Sequence, residues 1–142
     1  MHAFYLPPDA WRVPFILKGT EAHHLSRVLR MTQGETILLL DGAGRQGEFR
    51  ITEIQRQQVL LEQLSEQKHL RPASRIILAA GWGKAARRGW ILEKAVELEA
   101  SGLWFWQAER SQFSVPEDIP QQWQAQLIAG AKQCHNPWLP EL

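Results

Sequence analysis

Residues 75–113 read RIILAAGWGKAARRGWILEKAVELEASGLWFWQAERSQF, and their pattern decides the fold. Residues 75–81 form an apolar run after one Arg, the pattern of a strand buried on both faces. Residues 86–100 then turn helical. Ile91, Ala95 and Leu98 share one face, Leu92 and Val96 support it, and Gly102 is placed to serve as the C′ residue. LWFWQA at 103–108 reads as a second buried strand. Strand, helix and strand joined by short connections form a βαβ unit, expected to be parallel and right-handed.

On its C-terminal side, a Pro-bounded loop leads to QQWQAQLIAGAKQC (121–134), a further helical pattern, and then to HNPWLPEL. On its N-terminal side, SEQKHLRPAS (65–74) is polar and contains Pro72, which marks a boundary near residue 72. The residues before it follow a different pattern. HAFYL (2–6), PFILK (14–18), TILLLDG (36–42), GEFRITEIQ (47–55) and QVLLEQL (58–64) read as short strands, and the Gly-rich DGAGRQG forms a tight reversal. One helix interrupts them, with Thr20 as N-cap and Ala22, Leu25, Val28 and Leu29 on its apolar face, ending by Gly34. Short strands separated by turns predict a small barrel. Two parallel strands and two helices, by contrast, predict the first part of a larger α/β domain, because a parallel sheet needs both faces covered.

Composition narrows the function. Net charge is +1, from 16 Lys+Arg against 15 Asp+Glu, so nucleic acid would have to be drawn by local patches. No run approaches the ~18 apolar residues of a membrane span. No secretory signal pattern opens the chain, so a cytoplasmic location is expected. Cys134 is a lone cysteine, which excludes an internal disulfide and a thiolate zinc cluster. His23 and His24 are adjacent rather than four apart, so no metal is expected either.

GWGKAARRG (81–89) falls at the end of the first apolar strand, where open α/β sheets bind ligands. Gly81 and Gly83 admit a close backbone approach, and Lys84, Arg87 and Arg88 supply three cations. Leu78 and Ala85 stand where a P-loop needs Gly and Ser/Thr, and the third glycine of a dinucleotide fingerprint is missing. That leaves contact with an RNA backbone, or a solvated basic loop. Glu109-Arg110-Ser111 follows the second strand, and the βαβ topology brings Arg110 to the same edge as the loop. On the helix, Lys94 and Glu97 lie on a stripe with Trp90 and Ser101, as a surface ion pair or as part of a site. Arg27 and Arg30, three apart on the first helix, face away from its apolar side and are open to phosphate.

Three blocks in order, HHLSRVLRMTQGETILLLDGAG (23–44), EKAVELEASGLWFWQAERSQF (93–113) and AKQCHNPWLPEL (131–142), resemble the bacterial RsmE family. Its members are the small-subunit ribosomal RNA uridine N3-methyltransferases of the SPOUT class. His24-Leu25 with Val28-Leu29-Arg30, Lys94-Ala95-Val96-Glu97-Leu98, and Glu109-Arg110-Ser111 match its motifs. The resemblance implies a PUA-like, RNA-docking β-barrel over residues 1–72. Residues 73–142 would be the N-terminal part of a SPOUT α/β domain. It further implies a homodimer that uses S-adenosylmethionine on 16S rRNA in the small ribosomal subunit. Arg27, Arg30, Lys84, Arg87, Arg88 and Arg110 would contact RNA. Lys94, Glu97, Ser111, Gln133 and Asn136 would rim the substrate site, and no general base is identified. Glu99 stands where the family has Gly, and Gln133 to Asn136 lack a family Arg. The Gly-rich cofactor loop has no counterpart, so the cofactor site is expected outside these residues and the chain alone is expected to be inactive. Two alternatives stay open. One is a non-catalytic RNA-binding module. The other is a protein–protein module anchored by Trp82, Trp90 and Trp138.

Overall fold

In residues 45–54 side chains alternate: Gly47, Phe49 and Ile51 are buried, whereas Glu48, Arg50 and Thr52 are exposed. Around this strand the computed structural model builds the first of two compact units, Met1–Leu70 and Arg71–Leu142. It describes residues 1–112 and 114–142; Phe113, the last residue of the stretch quoted above, lies outside them.

The first unit holds β1 (Ala3–Tyr5), β2 (Phe15–Lys18), β3 (Thr36–Leu40), β4 (Arg45–Ile54), β5 (Gln58–Gln63) and β6 (Gln67–Lys68). They form one sheet in the order β1-β3-β4-β5-β2, with β6 pairing β4; β1 runs parallel to β3 and the other pairs are antiparallel. The expected barrel is met in part, as a curled half-barrel: β1 and β2 are the two edges of its sheet and do not pair with each other. Phe4, Leu17, Leu25, Ile37, Phe49 and Ile51 are fully buried in its core.

Asp41 makes the β3–β4 reversal. Its carboxylate, itself buried, accepts hydrogen bonds from the backbone N–H groups of Ala43 and Arg45 and from Arg45 Nε, while Gly42 and Gly44 take positive φ. At Gly47 a Cβ would collide with the Ser65 carbonyl oxygen, so glycine is required there.

The single helix expected after Thr20 is two pieces. α1 (Gly19–His23) follows Lys18 as N-cap, with no side-chain cap from Thr20, and a π turn (His24–Val28) replaces the α-helical continuation. The chain leaves this turn with Arg30 at φ 53°. Val28, expected on the buried face, is exposed, and Arg27 and Arg30 are not stacked three apart on one helix.

The second unit is β7 (Ile77–Gly81), α2 (Ala85–Glu97), β8 (Gly102–Trp106) and α3 (Gln121–Cys134), with β7 and β8 parallel as expected. Leu92, Ala95, Val96, Leu103, Trp123 and Leu127 form its core between the helices and one sheet face. The strands are not buried on both faces. Ile77, Trp104 and Trp106 stand 38%, 58% and 54% exposed on the other face, because both helices pack on the same side. Gly102 opens β8 instead of ending α2; the left-handed residue after the helix is Glu99, at φ 55°. No described helix is long and apolar enough to cross a membrane.

Candidate nucleic-acid interface

The parallel register carries Gly81 alongside Trp106, so the segments leaving the two strands start from the same sheet edge. Trp82 donates its backbone N–H to Trp106 O at 2.7 Å and turns its ring into the core, against Phe105 and Trp123, both with centroids 5.5 Å away. Gly83 and Lys84 then lead into α2. Lys84 is the N-cap and makes no side-chain cap bond, and the first turn contains no acid. Arg87 and Arg88 donate their backbone N–H groups to Lys84 O, so at the very start of the 13-residue helix only the amides of Ala85 and Ala86 lack a backbone or capping partner among the described residues.

Arg88 reaches back over this turn. Its guanidinium lies over the Trp82 ring, 4.1 Å from the centroid, and one Nη donates to Gly83 O. Among the described residues, Arg88 Nε and Trp82 Nε1 are buried with no hydrogen-bond partner. Trp82, Lys84, Ala85, Arg88 and Ser114 line a cavity of about 370 Å³ here. Cationic side chains, uncapped helix amides and two buried donors without acceptors together suit an anion.

The other expected site residues are distributed differently. Arg87 and Arg110 are exposed and do not line this cavity. Ser111 closes its own turn, with Oγ accepting from Ala108 N–H. Lys94 and Glu97 pair with each other at 2.6 Å, and that hydrogen bond raises the Lys94 pKa. Lys94 is nine residues beyond the start of α2, or ~13 Å along its axis, towards the opposite sheet edge. Gln133 is exposed on α3. Asn136 is buried: its Nδ2 donates to Val96 O at 3.1 Å and its Oδ1 accepts from Trp138 N–H.

At the amino edge of the sheet, Arg71, Arg75, Glu99, Asn136 and Trp138 border a second cavity of about 210 Å³. Glu141 bridges Arg71 and Arg75, both at 3.0 Å, and these hydrogen bonds hold its carboxyl below the ordinary value of 4.5. Arg71 also lies over the Trp138 ring. Trp82 and Trp138 are thus engaged internally rather than offered as anchors, whereas Trp90 is 60% exposed. On the first unit, Arg27 lines a groove and Arg30 lies outside it. Among the described residues no group of three or more His, Cys, Asp or Glu side chains could hold a metal ion.

Sequence reading had no signal for Asp41 as the organiser of its loop, or for Arg88 as the side chain that fixes residues 82–84. Both depend on where a side chain folds back, which periodicity does not record.

A small β unit followed by a unit of two parallel strands and two helices, with cations gathered at its strand ends, is the two-part plan expected from the sequence. Residues 70–142 match the RNA methyltransferase domain and residues 17–64 match the RNA methyltransferase PUA domain, so the chain belongs to the RNA methyltransferase family. It is 28% identical over 100 residues to ribosomal RNA small subunit methyltransferase E of Bacillus subtilis, matching 68% of this chain and 38% of that protein. With the protein of the same name from Synechocystis it shares 27% identity over 125 residues, 87% of this chain and 41% of the relative. The crystal structure of ribosomal RNA small subunit methyltransferase E from Neisseria gonorrhoeae, bound to S-adenosyl methionine, superposes with a TM-score of 0.83 at 26% identity, covering all of this chain and 60% of that one. The chain spans about two-fifths of the length of the curated relatives it matches.

Proposed function

We propose that this chain is the RNA-docking part of an enzyme that transfers a methyl group from S-adenosylmethionine to N3 of a uridine in small-subunit ribosomal RNA. The observation that carries this reading is the anion cradle at Trp82, Lys84 and Arg88, at the strand edge of a chain in an RNA methyltransferase family. Family relatives that act on small-subunit rRNA supply the substrate class. Arg87 and Arg110, exposed on the segments next to the cradle, extend its positive field along a phosphate backbone.

The cradle does not suit the cofactor. Lys84 and Arg88 would repel a sulfonium, so S-adenosylmethionine belongs to residues other than these. What these residues contribute is positioning: holding the RNA phosphate fixes the target base relative to the methyl donor. Lys94, Glu97, Ser111, Gln133 and Asn136 would act behind that contact, as rim and support. The protein would work as a cytoplasmic homodimer, whose subunits cover the apolar face bearing Trp104 and Trp106.

Calorimetric titration of S-adenosylmethionine, paired with RNA binding by fluorescence anisotropy, tests the reading. RNA binding that weakens with salt and with Lys84→Ala, together with no heat from the cofactor, is expected. Saturable cofactor heat would overturn the reading of this chain as the docking part alone. No RNA binding at low salt would overturn the docking role.

A further inference from the structure

Three connections of the second unit converge at the amino edge of its sheet: the segment entering β7, the turn after α2 and the turn after α3. They wall the cavity of about 210 Å³, at the other end of the strands from the cradle. A cavity of ~150 Å³ admits benzene, so this one has room for about eight or nine non-hydrogen atoms.

The wall carries charges of both signs. Arg71 and Arg75 share the carboxylate of Glu141 with one hydrogen bond each, which leaves most of their N–H donors to other acceptors. Trp138 adds an indole Nε1–H that is buried without an acceptor among the described residues. The opposite sign comes from Glu99, which has no ion-pair partner among the described residues. The carboxyl ends of α2 and α3, just before Glu99 and Asn136, add partial negative charge. Pro72, Ala73, Ala100 and Leu139 make the remainder apolar.

Charge balance selects the ligand. The two arginines are offset by Glu99 and Glu141, so a net anion or a net cation meets repulsion as well as attraction. A small molecule carrying both charges, with a short apolar body, meets attraction from both. We infer that this cavity binds a free α-amino acid with an aliphatic side chain, of the size of valine or leucine. Arg71, Arg75 and Trp138 Nε1 would take the carboxylate, Glu99 the ammonium, and Ala100 and Leu139 the side chain. None of these residues lines the cradle, so the inference does not depend on RNA docking. Both arginine side chains are about half exposed, which places the expected affinity in the millimolar range.

The test is an NMR titration of the full chain with L-leucine, read at the Trp138 indole N–H, the signal that disappears in Trp138→Phe. A saturable shift is expected. N-acetyl-L-leucine, which lacks the ammonium, and L-leucinamide, which lacks the carboxylate, should each bind about tenfold more weakly. L-tryptophan, too large for the cavity, should not bind. Glu99→Gln should weaken leucine binding by about tenfold without weakening N-acetyl-L-leucine, whereas Lys84→Ala, in the cradle, should leave leucine binding unchanged. No saturable shift with leucine overturns the inference. Equal binding of leucine and its two blocked forms, or tighter binding of N-acetyl-L-leucine, would mark a site that does not read a zwitterion and would overturn it too.

Discussion

The guanidinium of Arg88 lies 4.1 Å from the centroid of the Trp82 ring while it donates to Gly83 O, so one side chain holds residues 82–83 from two directions. A lysine keeps the charge but not the planar fork that makes both contacts. Arg88→Lys should therefore lower stability by about 1 kcal/mol, within the range of a partly desolvated cation–π contact. It should also weaken RNA binding more than Arg87→Lys does. Thermal melts and anisotropy measure the two effects, and equal behaviour of the two variants would separate RNA binding from this contact.

Glu99 occupies the left-handed conformation, φ 55°, just after α2. For a residue with a Cβ this costs about 1–2 kcal/mol, offset in part by the ~0.5–1 kcal/mol that glycine loses through its freer unfolded chain. Glu99→Gly should therefore stabilise the chain by roughly 0.5–1 kcal/mol and raise the melting temperature by about 2–6 °C. Glu99→Ala, which keeps the Cβ, should bring no such gain, and parallel thermal melts decide between them.

Asn136 bonds Val96 O from one side of its amide and Trp138 N–H from the other, tying the end of α3 to α2. Asn136→Ala leaves both backbone groups without that partner and should cost about 1–3 kcal/mol. Measured below the new melting temperature, RNA affinity should be little changed if the residue acts through packing. A large loss of affinity with little loss of stability would instead place it against the substrate.

Glu141 carries a pH dependence that can be tested. Hydrogen bonds from Arg71 and Arg75 lower its folded pKa below 4.5. Its contribution to stability is therefore complete above the unfolded value and is lost as pH falls through the folded one. The Glu141 carboxyl should titrate below 4.5 by NMR, and Arg71→Ala or Arg75→Ala should move its midpoint upward. Between about pH 5 and pH 3, the parent chain should lose more melting temperature than Glu141→Gln. Equal losses would show that the bridge does not contribute.

Local periodicity made much of the architecture legible. The alternation through Phe49 and Ile51, and the apolar runs on either side of α2, each encode an element within a few residues, and parallel β7–β8 pairing followed from the short connections. Features set by distant residues were not legible. Arg71 and Arg75 meet Glu141 from the far end of the unit. The π turn and an α-helix have similar apolar spacing over five residues, so the displacement of Val28 was hidden. The open face of β7–β8 depends on both helices packing on one side, which hydrophobicity alone does not specify.

The burial of Trp11 has a spectroscopic consequence. It is the sole tryptophan of the first unit, packed edge-on against Phe49 with its indole N–H donating to Glu66, whereas Trp82, Trp90, Trp104, Trp106, Trp123 and Trp138 all belong to the second. Emission from the intact chain is therefore dominated by one unit. A Trp11→Phe variant would make that signal report the second unit alone, and the difference from the parent chain would isolate the first.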